Sequence, residues 1–126
     1  MATQSKATTK GEKIQHVIDA SGQTLGRLAS QIAVLLQDKN TAAYLPRLAG
    51  KNVVVVKNAS KLVVSGNKAT QKVYYRHTGY MGHLREKPFK IMFKETPEII
   101  LKKAVYNMLP KNWLRQRRMN RLIVEK

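Results

Sequence analysis

A chain of 126 residues holds one domain with a modest core, and its 43% hydrophobic content is ordinary for a folded protein. The charge is not ordinary: 24 Lys and Arg against 7 Asp and Glu leave a net +17, which self-repels unless a polyanion, nucleic acid or an anionic membrane, offsets it. The absence of cysteine excludes disulfides, thiolate zinc sites and cysteine nucleophiles. The longest apolar runs, Ile32 to Leu36 and Val53 to Val56, fall far short of the roughly 20 residues of a membrane span.

The first 13 residues, "MATQSKATTKGEK", are polar and Lys-bearing and lack the apolar stretch of a secretory signal. They read as a disordered basic arm preceding a single domain over 14–126. "HVIDA", His16 to Ala20, is a short β-branched strand. After the "SGQ" turn, Thr24 is positioned as an N-cap. Leu25, Leu28, Ala29, Ile32, Ala33, Leu35 and Leu36 then follow helical spacing, which predicts an amphipathic helix over 24–36. In "SGQTLGR", Gly22 makes the turn and Gly26 is expected to allow close helix packing; the stretch is neither G-x-G-x-x-G nor a Walker loop. Residues 41 to 51, with Pro46 and Gly50, read as irregular.

"NVVVVKNA" follows, and four consecutive valines suit a strand buried on both faces, as in a parallel sheet. "KLVVSGNK" reads as a further short strand and a turn. "KVYYRHT" reads as another strand, with Val73 and Tyr75 on one face and Tyr74 and Arg76 on the other. Residues 79 to 90, with Gly79, Gly82 and Pro88, read as a loop. "TPEIILKKAVYNML" predicts a helix with Thr96 as N-cap, Pro97 at its first position and Glu98 in its first turn. Its buried stripe is expected from Ile100, Ala104, Val105 and Met108, with Leu101 beside it, and Pro110 stops it. Trp113 to Met119 predicts a short, very basic helix, and "RLIVE" a last strand. This alternation points to α/β with a mostly parallel sheet.

Catalytic and metal readings find little support. His16, His77 and His83 have no paired carboxylates, whereas zinc needs three or four converging ligands. No nucleophile elbow is present, and no acidic pair sits in an evident cleft. The histidines read as hydrogen-bonding partners of RNA or backbone. "GYMG", Gly79 to Gly82, matches the G-x-x-G of KH domains. That loop joins two helices, however, and here a strand precedes it, so only the close backbone approach to phosphate carries over. Tyr80, after a glycine in a loop, is placed to stack on an unpaired base.

The charge is also uneven. Residues 1 to 67 carry a net +6 and residues 68 to 126 a net +11. In "KNWLRQRRMNR", Lys111, Arg115, Arg117, Arg118 and Arg121 crowd one segment without acids to balance them. Arginine suits planar, bidentate phosphate contact.

Four stretches, "VIDASGQTLGRLAS", "NVVVVKNASKLVVSGNK", "KVYYRHTGYMGHLRE" and "KAVYNMLPKNWLRQRRMNRLIV", resemble in order the successive blocks of the L13 (uL13) family of large-subunit ribosomal proteins, bacterial type. The resemblance covers about residues 16 to 124. It implies a three-layer α/β/α fold around a mainly parallel four-stranded sheet, with a basic C-terminal helical segment. It also implies a structural protein of the large subunit, in the cytoplasm, that binds large-subunit rRNA beside neighbouring ribosomal proteins and supports assembly. It implies no enzymatic activity, no cofactor, no small-molecule substrate and no membrane partner. The family's "YYRHTGY" maps onto Tyr74 to Tyr80, and its "MLPKN" onto Met108 to Asn112 and the arginines that follow. The residues expected to touch RNA are Arg27, Arg47, Lys61, Lys68, Arg76, His77, Tyr80, Arg85, Lys87, Lys111, Asn112, Arg115, Arg117, Arg118 and Arg121. The chain departs from the family's pattern at Gln15-His16, where Trp-Tyr is frequent, and at "PRLAGKN", which lacks acids.

Overall fold

The computed structural model describes residues 4–6 and 14–126. The remaining residues of the expected arm, 1–3 and 7–13, lie outside it. The fold is mixed α/β. Its sheet has a parallel core of β2 (Gln15–Asp19), β3 (Val53–Lys57) and β6 (Leu122–Val124), with β1 (Gln4–Lys6) antiparallel to β2 at one edge. The valine run occupies the middle of the sheet, and Val54, Val55 and Val56 are all buried, as a strand covered on both faces requires.

Helix α1 (Leu25–Leu36) begins after Thr24, whose backbone is extended as an N-cap requires, although its hydroxyl makes no capping bond. Leu28, Ala29, Ile32, Ala33 and Leu36 recur at helical spacing and form its buried stripe. They share one core with Ile18 of β2, Val54 and Val56 of β3, Leu122 and Val124 of β6, and Leu101 and Val105 of α4 (Pro97–Met108). Gly22 takes φ +70 in the turn before α1, a conformation that favours glycine. A Cβ at Gly26 meets nothing within 4 Å, so no close helix contact depends on that glycine.

Three sequence expectations change. "KLVV" does not form a strand: Asn58 turns left-handed at φ 58, a 3-10 turn follows at Ala59–Lys61, and only Val63 bridges to Thr24. The next residues form the one-turn helix α2 (Lys68–Gln71). Residues 79 to 90 are not all loop: β5 (Leu84–Pro88) pairs antiparallel with β4 (Val73–His77), and α3 (Phe89–Glu95) follows directly. These two strands make a separate hairpin outside the main sheet. Every residue of β5 is exposed, so no apolar alternation marks it as a strand. Met108 is exposed rather than buried, because it closes α4 at the molecular surface beside the Ser30 hydroxyl.

The hairpin is tied to the body by aromatic packing. The Tyr74 ring stacks on Phe89 at 6.2 Å, and Phe89 stacks on Phe93 at 5.7 Å. Phe89, Met92 and Ile100 form a second small core beneath them, which joins the hairpin to the N-terminal half of α4. Tyr74 loses hydration there, and this burial raises its phenol pKa.

The helix α5 (Leu114–Met119) packs differently from an ordinary solvated basic helix. Arg118 is 1% exposed. Its guanidinium donates to the carbonyls of Leu48 at 3.0 Å, Pro46 at 3.3 Å and Ala49 at 3.4 Å. Arg121 donates to Asn52 O and Leu36 O, both at 2.8 Å, and to Ala49 O. Burial lowers the Arg121 pKa, the Asp38 charge raises it, and nearby Arg118 lowers it again. Asp38 itself accepts the Lys51 N–H at 2.6 Å and the Asn52 N–H at 3.2 Å. The irregular segment before β3 is thus held by two guanidiniums and a carboxylate. Gly50 sits in it at φ +91, and a Cβ there lies 2.7 Å from the Asp38 carboxylate.

At the carboxyl end of β2, the Asp19 carboxylate accepts from the Asn58 amide at 3.0 Å and from the Ser21 N–H at 3.0 Å and hydroxyl at 2.8 Å. These bonds, Asn58 first, lower its pKa from 3.8 to about 2. The folded value lies below the ordinary one. The associated stability is therefore present above about pH 4 and is lost as pH falls toward 2.

Two outcomes test these anchors. Arg118→Met keeps an apolar stem but removes the donors of three backbone carbonyls, and urea unfolding followed by circular dichroism should show a loss of about 3 kcal/mol; Arg117→Met should stay within about 0.5 kcal/mol. Asn58→Gly keeps the left-handed backbone and removes the amide donor. A carboxyl-carbon NMR titration should then find the Asp19 pKa moved up from about 2 toward 3.8.

Candidate nucleic-acid interface

Among the described residues one ion pair forms, between Lys87 and Glu95. The other exposed cations therefore have no acid among the described residues at ion-pair distance. Two groups of them gather on defined elements, and each group carries exposed aromatic or apolar side chains.

The first group is the hairpin. Its tip turns through Gly79 at φ +93 and Gly82 at φ +72. The turn closes with Thr78 N–H to His83 O at 3.3 Å and His83 N–H to Tyr80 O at 3.2 Å. The His77 ring accepts the Gly79 N–H at Nδ1, 3.0 Å away, which directs its other ring nitrogen away from the turn. Tyr80 is 74% exposed and Met81 97% exposed at this tip. Arg76 and Arg85, both exposed, are directly opposite each other across the two strands. Lys87 belongs to the same hairpin but reaches down to Glu95 of α3, an exposed pair that contributes little stability.

The second group follows α4. Lys111 and Asn112 are exposed in the turn after Pro110. The Arg115 guanidinium lies 4.3 Å over the Tyr106 ring and donates to Pro110 O at 3.3 Å, which orients it at the edge of the turn. The Arg117 guanidinium lies 4.6 Å over Trp113, whose indole is 68% exposed. These cation–π contacts hold two flat charged groups in place without consuming their charge. The second group follows the C-terminus of α4, whereas the hairpin packs near its N-terminus. The 12 residues of this helix set the two groups roughly 18 Å apart along its axis.

The other sequence-predicted residues fall elsewhere. Arg27 is exposed on the first turn of α1, Lys61 on the 3-10 turn, Lys68 on α2 and Arg47 on the irregular segment. Arg118 and Arg121 belong to neither surface group. The helix that exposes Arg117 turns Arg118 inward, Arg121 follows just beyond its end, and both donate to backbone carbonyls, so direct phosphate contact gives way to an internal anchoring role. Trp113 escaped the sequence reading of this site, although its position inside an arginine run was a usable signal. Lys72 and Lys103 also escaped it: their ammonium groups converge on the Tyr74 ring at 5.3 and 4.7 Å.

A cavity of about 590 Å³ lies against the irregular segment, lined by Gln37, Asp38, Tyr44, Leu45, Leu48 and Gly50 among others. Its one carboxylate, Asp38, is committed to backbone N–H groups. No group of three or more His, Asp or Glu among the described residues converges as metal ligands do, and no described helix is long and apolar enough to cross a membrane.

Comparison with known proteins places this surface on a recognised scaffold. The family model described as ribosomal protein L13 matches residues 13–124. The large ribosomal subunit protein uL13 of Chloroflexus aggregans is 45% identical over 122 residues, covering 97% of this chain and 85% of that protein. The uL13 protein of Rubrobacter xylanophilus is 49% identical over 111 residues, covering 88% and 78% respectively. That of Clostridioides difficile is 48% identical over 109 residues, covering 86% and 76%. The match spans both cation groups and the arginine anchors between the irregular segment and β6, and the chain belongs to the ribosomal protein L13 family.

Proposed function

We propose that this chain is a structural constituent of the bacterial large ribosomal subunit in the cytoplasm, where it binds large-subunit rRNA through phosphate-dominated contacts and supports assembly. Its partners are that rRNA and neighbouring large-subunit proteins. It acts without catalysis, cofactor, small-molecule substrate or membrane. Residues 14–126 form the rRNA-binding domain, preceded by the basic arm, and the body takes the family's three-layer α/β/α arrangement around a mainly parallel four-stranded sheet.

One observation carries this reading. A chain with a net charge of +17 forms a single ion pair among its described residues and gathers two groups of exposed cations beside exposed aromatics. Such a surface gains from releasing the counterions of a polyphosphate, and its affinity falls steeply with salt. RNA supplies two further partners. Its unpaired bases stack on aromatic rings such as Tyr80 and Trp113, and its folded shape matches fixed charges where the narrow A-form major groove denies base readout. Arg27, Arg47, Lys61, Lys68, Arg76, His77, Tyr80, Arg85, Lys87, Lys111, Asn112, Arg115 and Arg117 supply this contact. Arg118 and Arg121 support it from the interior.

Lys111→Ala combined with Arg117→Ala should weaken large-subunit rRNA binding at least 10-fold in a filter assay. It should also reduce the slope of log affinity against log salt by about 1.4–1.8, two phosphates' worth, with unchanged urea stability. An unchanged slope removes these residues from the phosphate contact. In sucrose gradients at moderate salt the wild-type chain should travel with the large subunit; a free-standing RNA regulator washes off.

A further inference from the structure

The cross-strand pair Arg76 and Arg85 is an unusual thing to find in an isolated hairpin. Residues directly opposite on an antiparallel pair share a face, and like charges there destabilise the pairing. The backbone bonds Thr78 N–H to His83 O and Phe89 N–H to Lys72 O lie in the same register, two and four residues away from Arg76 and Arg85 respectively. The two arginines therefore occupy a hydrogen-bonded position, with Cα atoms about 5.5 Å apart. A two-stranded ribbon has little stability to spare for such repulsion.

No neighbouring acid among the described residues relieves it. Glu86, the one acid on these two strands, pairs across to Tyr75 on the opposite face. Glu95 is engaged by Lys87. The next position on the same face toward the body adds Lys87 itself, opposite Tyr74, with Lys72 and Lys103 around that ring. The next position toward the tip holds Thr78 and His83, joined to each other through the Thr78 hydroxyl and the His83 carbonyl. The strand register thus sets two arginines opposite each other on one face whose neighbours are also basic.

We infer that Arg76 and Arg85 form a two-guanidinium clamp on a single RNA backbone phosphate. Each guanidinium presents a fork that matches phosphate oxygens. One phosphodiester between the two forks converts the cross-strand repulsion into two charge-assisted contacts, so the hairpin is completed by its ligand. This inference rests on the rRNA-binding reading above and specifies the ligand group at one part of that surface.

The test measures large-subunit rRNA affinity against KCl concentration for the full chain as wild type, Arg76→Ala, Arg85→Ala and the double variant. A shared phosphate predicts a total slope loss of about 0.7–0.9 in the double variant, because one phosphate's counterions are involved. A loss near twice that figure assigns the two arginines to separate phosphates and overturns the clamp, as does no loss. Failure of the wild type to bind rRNA with any salt dependence is a different result, and it overturns the rRNA reading itself. Arg85→Glu supplies a second measurement on the free chain. Replacing the repulsion by a cross-strand ion pair should raise the melting temperature by about 2 °C while rRNA affinity falls at least 10-fold. A melting temperature that is unchanged or lower shows that the two side chains do not face each other and overturns the clamp.

Discussion

The structure depends on two arginines that turn to the backbone. Arg118 and Arg121 direct their guanidiniums at the carbonyls of Leu36, Pro46, Leu48, Ala49 and Asn52. These carbonyls end α1 or lie in the irregular segment that leads into β3, where no ladder or helix partner reaches them. A carbonyl left without a donor away from water costs about 1–3 kcal/mol, so losing several of these bonds takes a large share of the stability of a domain of this size. The donors also come from the residues just before β6. The same bonds therefore fix where β6 lies against β3, with Leu122 opposite Val54 and the Arg121 carbonyl accepting the Val54 N–H.

This use of arginine explains how a strongly basic chain can fold before its charge is neutralised. Charge that enters the interior does so as guanidinium, whose fork reaches several carbonyls at once, and Arg118 and Arg121 each make three such bonds. Charge that stays outside is carried on supports that the core has already set: α4 for the segment 111–117, and the Tyr74–Phe89–Phe93 stack for the hairpin. Rigid placement matters for recognition of a folded RNA, because flexible cations contribute affinity but no register. Arg115 and Arg117 illustrate the point, since each lies over a ring that restricts its rotamers.

Much of the body was legible in the sequence. Helical spacing from Leu25 to Leu36, the four valines and the Thr96-Pro97 start each name their element through a local rule, and the structure follows them. The stretches quoted for the family resemblance agree with the family match over 13–124. β5 and the helix after it were not legible, because "LREKP" gains its strand character from the register with β4 and shows no apolar face. Within "KNWLRQRRMNR" the sequence gives five equivalent cations, and only packing separates them. Leu114 is buried, and the position four residues later falls on its face of the helix, which takes Arg118 inward and leaves Arg117 out, while Arg121 follows beyond the helix end. That periodicity was present in the sequence but was masked by the expectation that arginine stays in water.

The central claim is a division of labour among arginines, with Arg118 building the fold and Arg76, Arg85, Arg115 and Arg117 meeting RNA. Modification by an arginine-specific dicarbonyl reagent, mapped by mass spectrometry in the free chain and in its complex with large-subunit rRNA, tests both halves at once. The account predicts that Arg118 is unmodified in both states, whereas the other four react in the free chain and are protected in the complex. Modification of Arg118 in the folded free chain, or undiminished reactivity of the four in the complex, contradicts it.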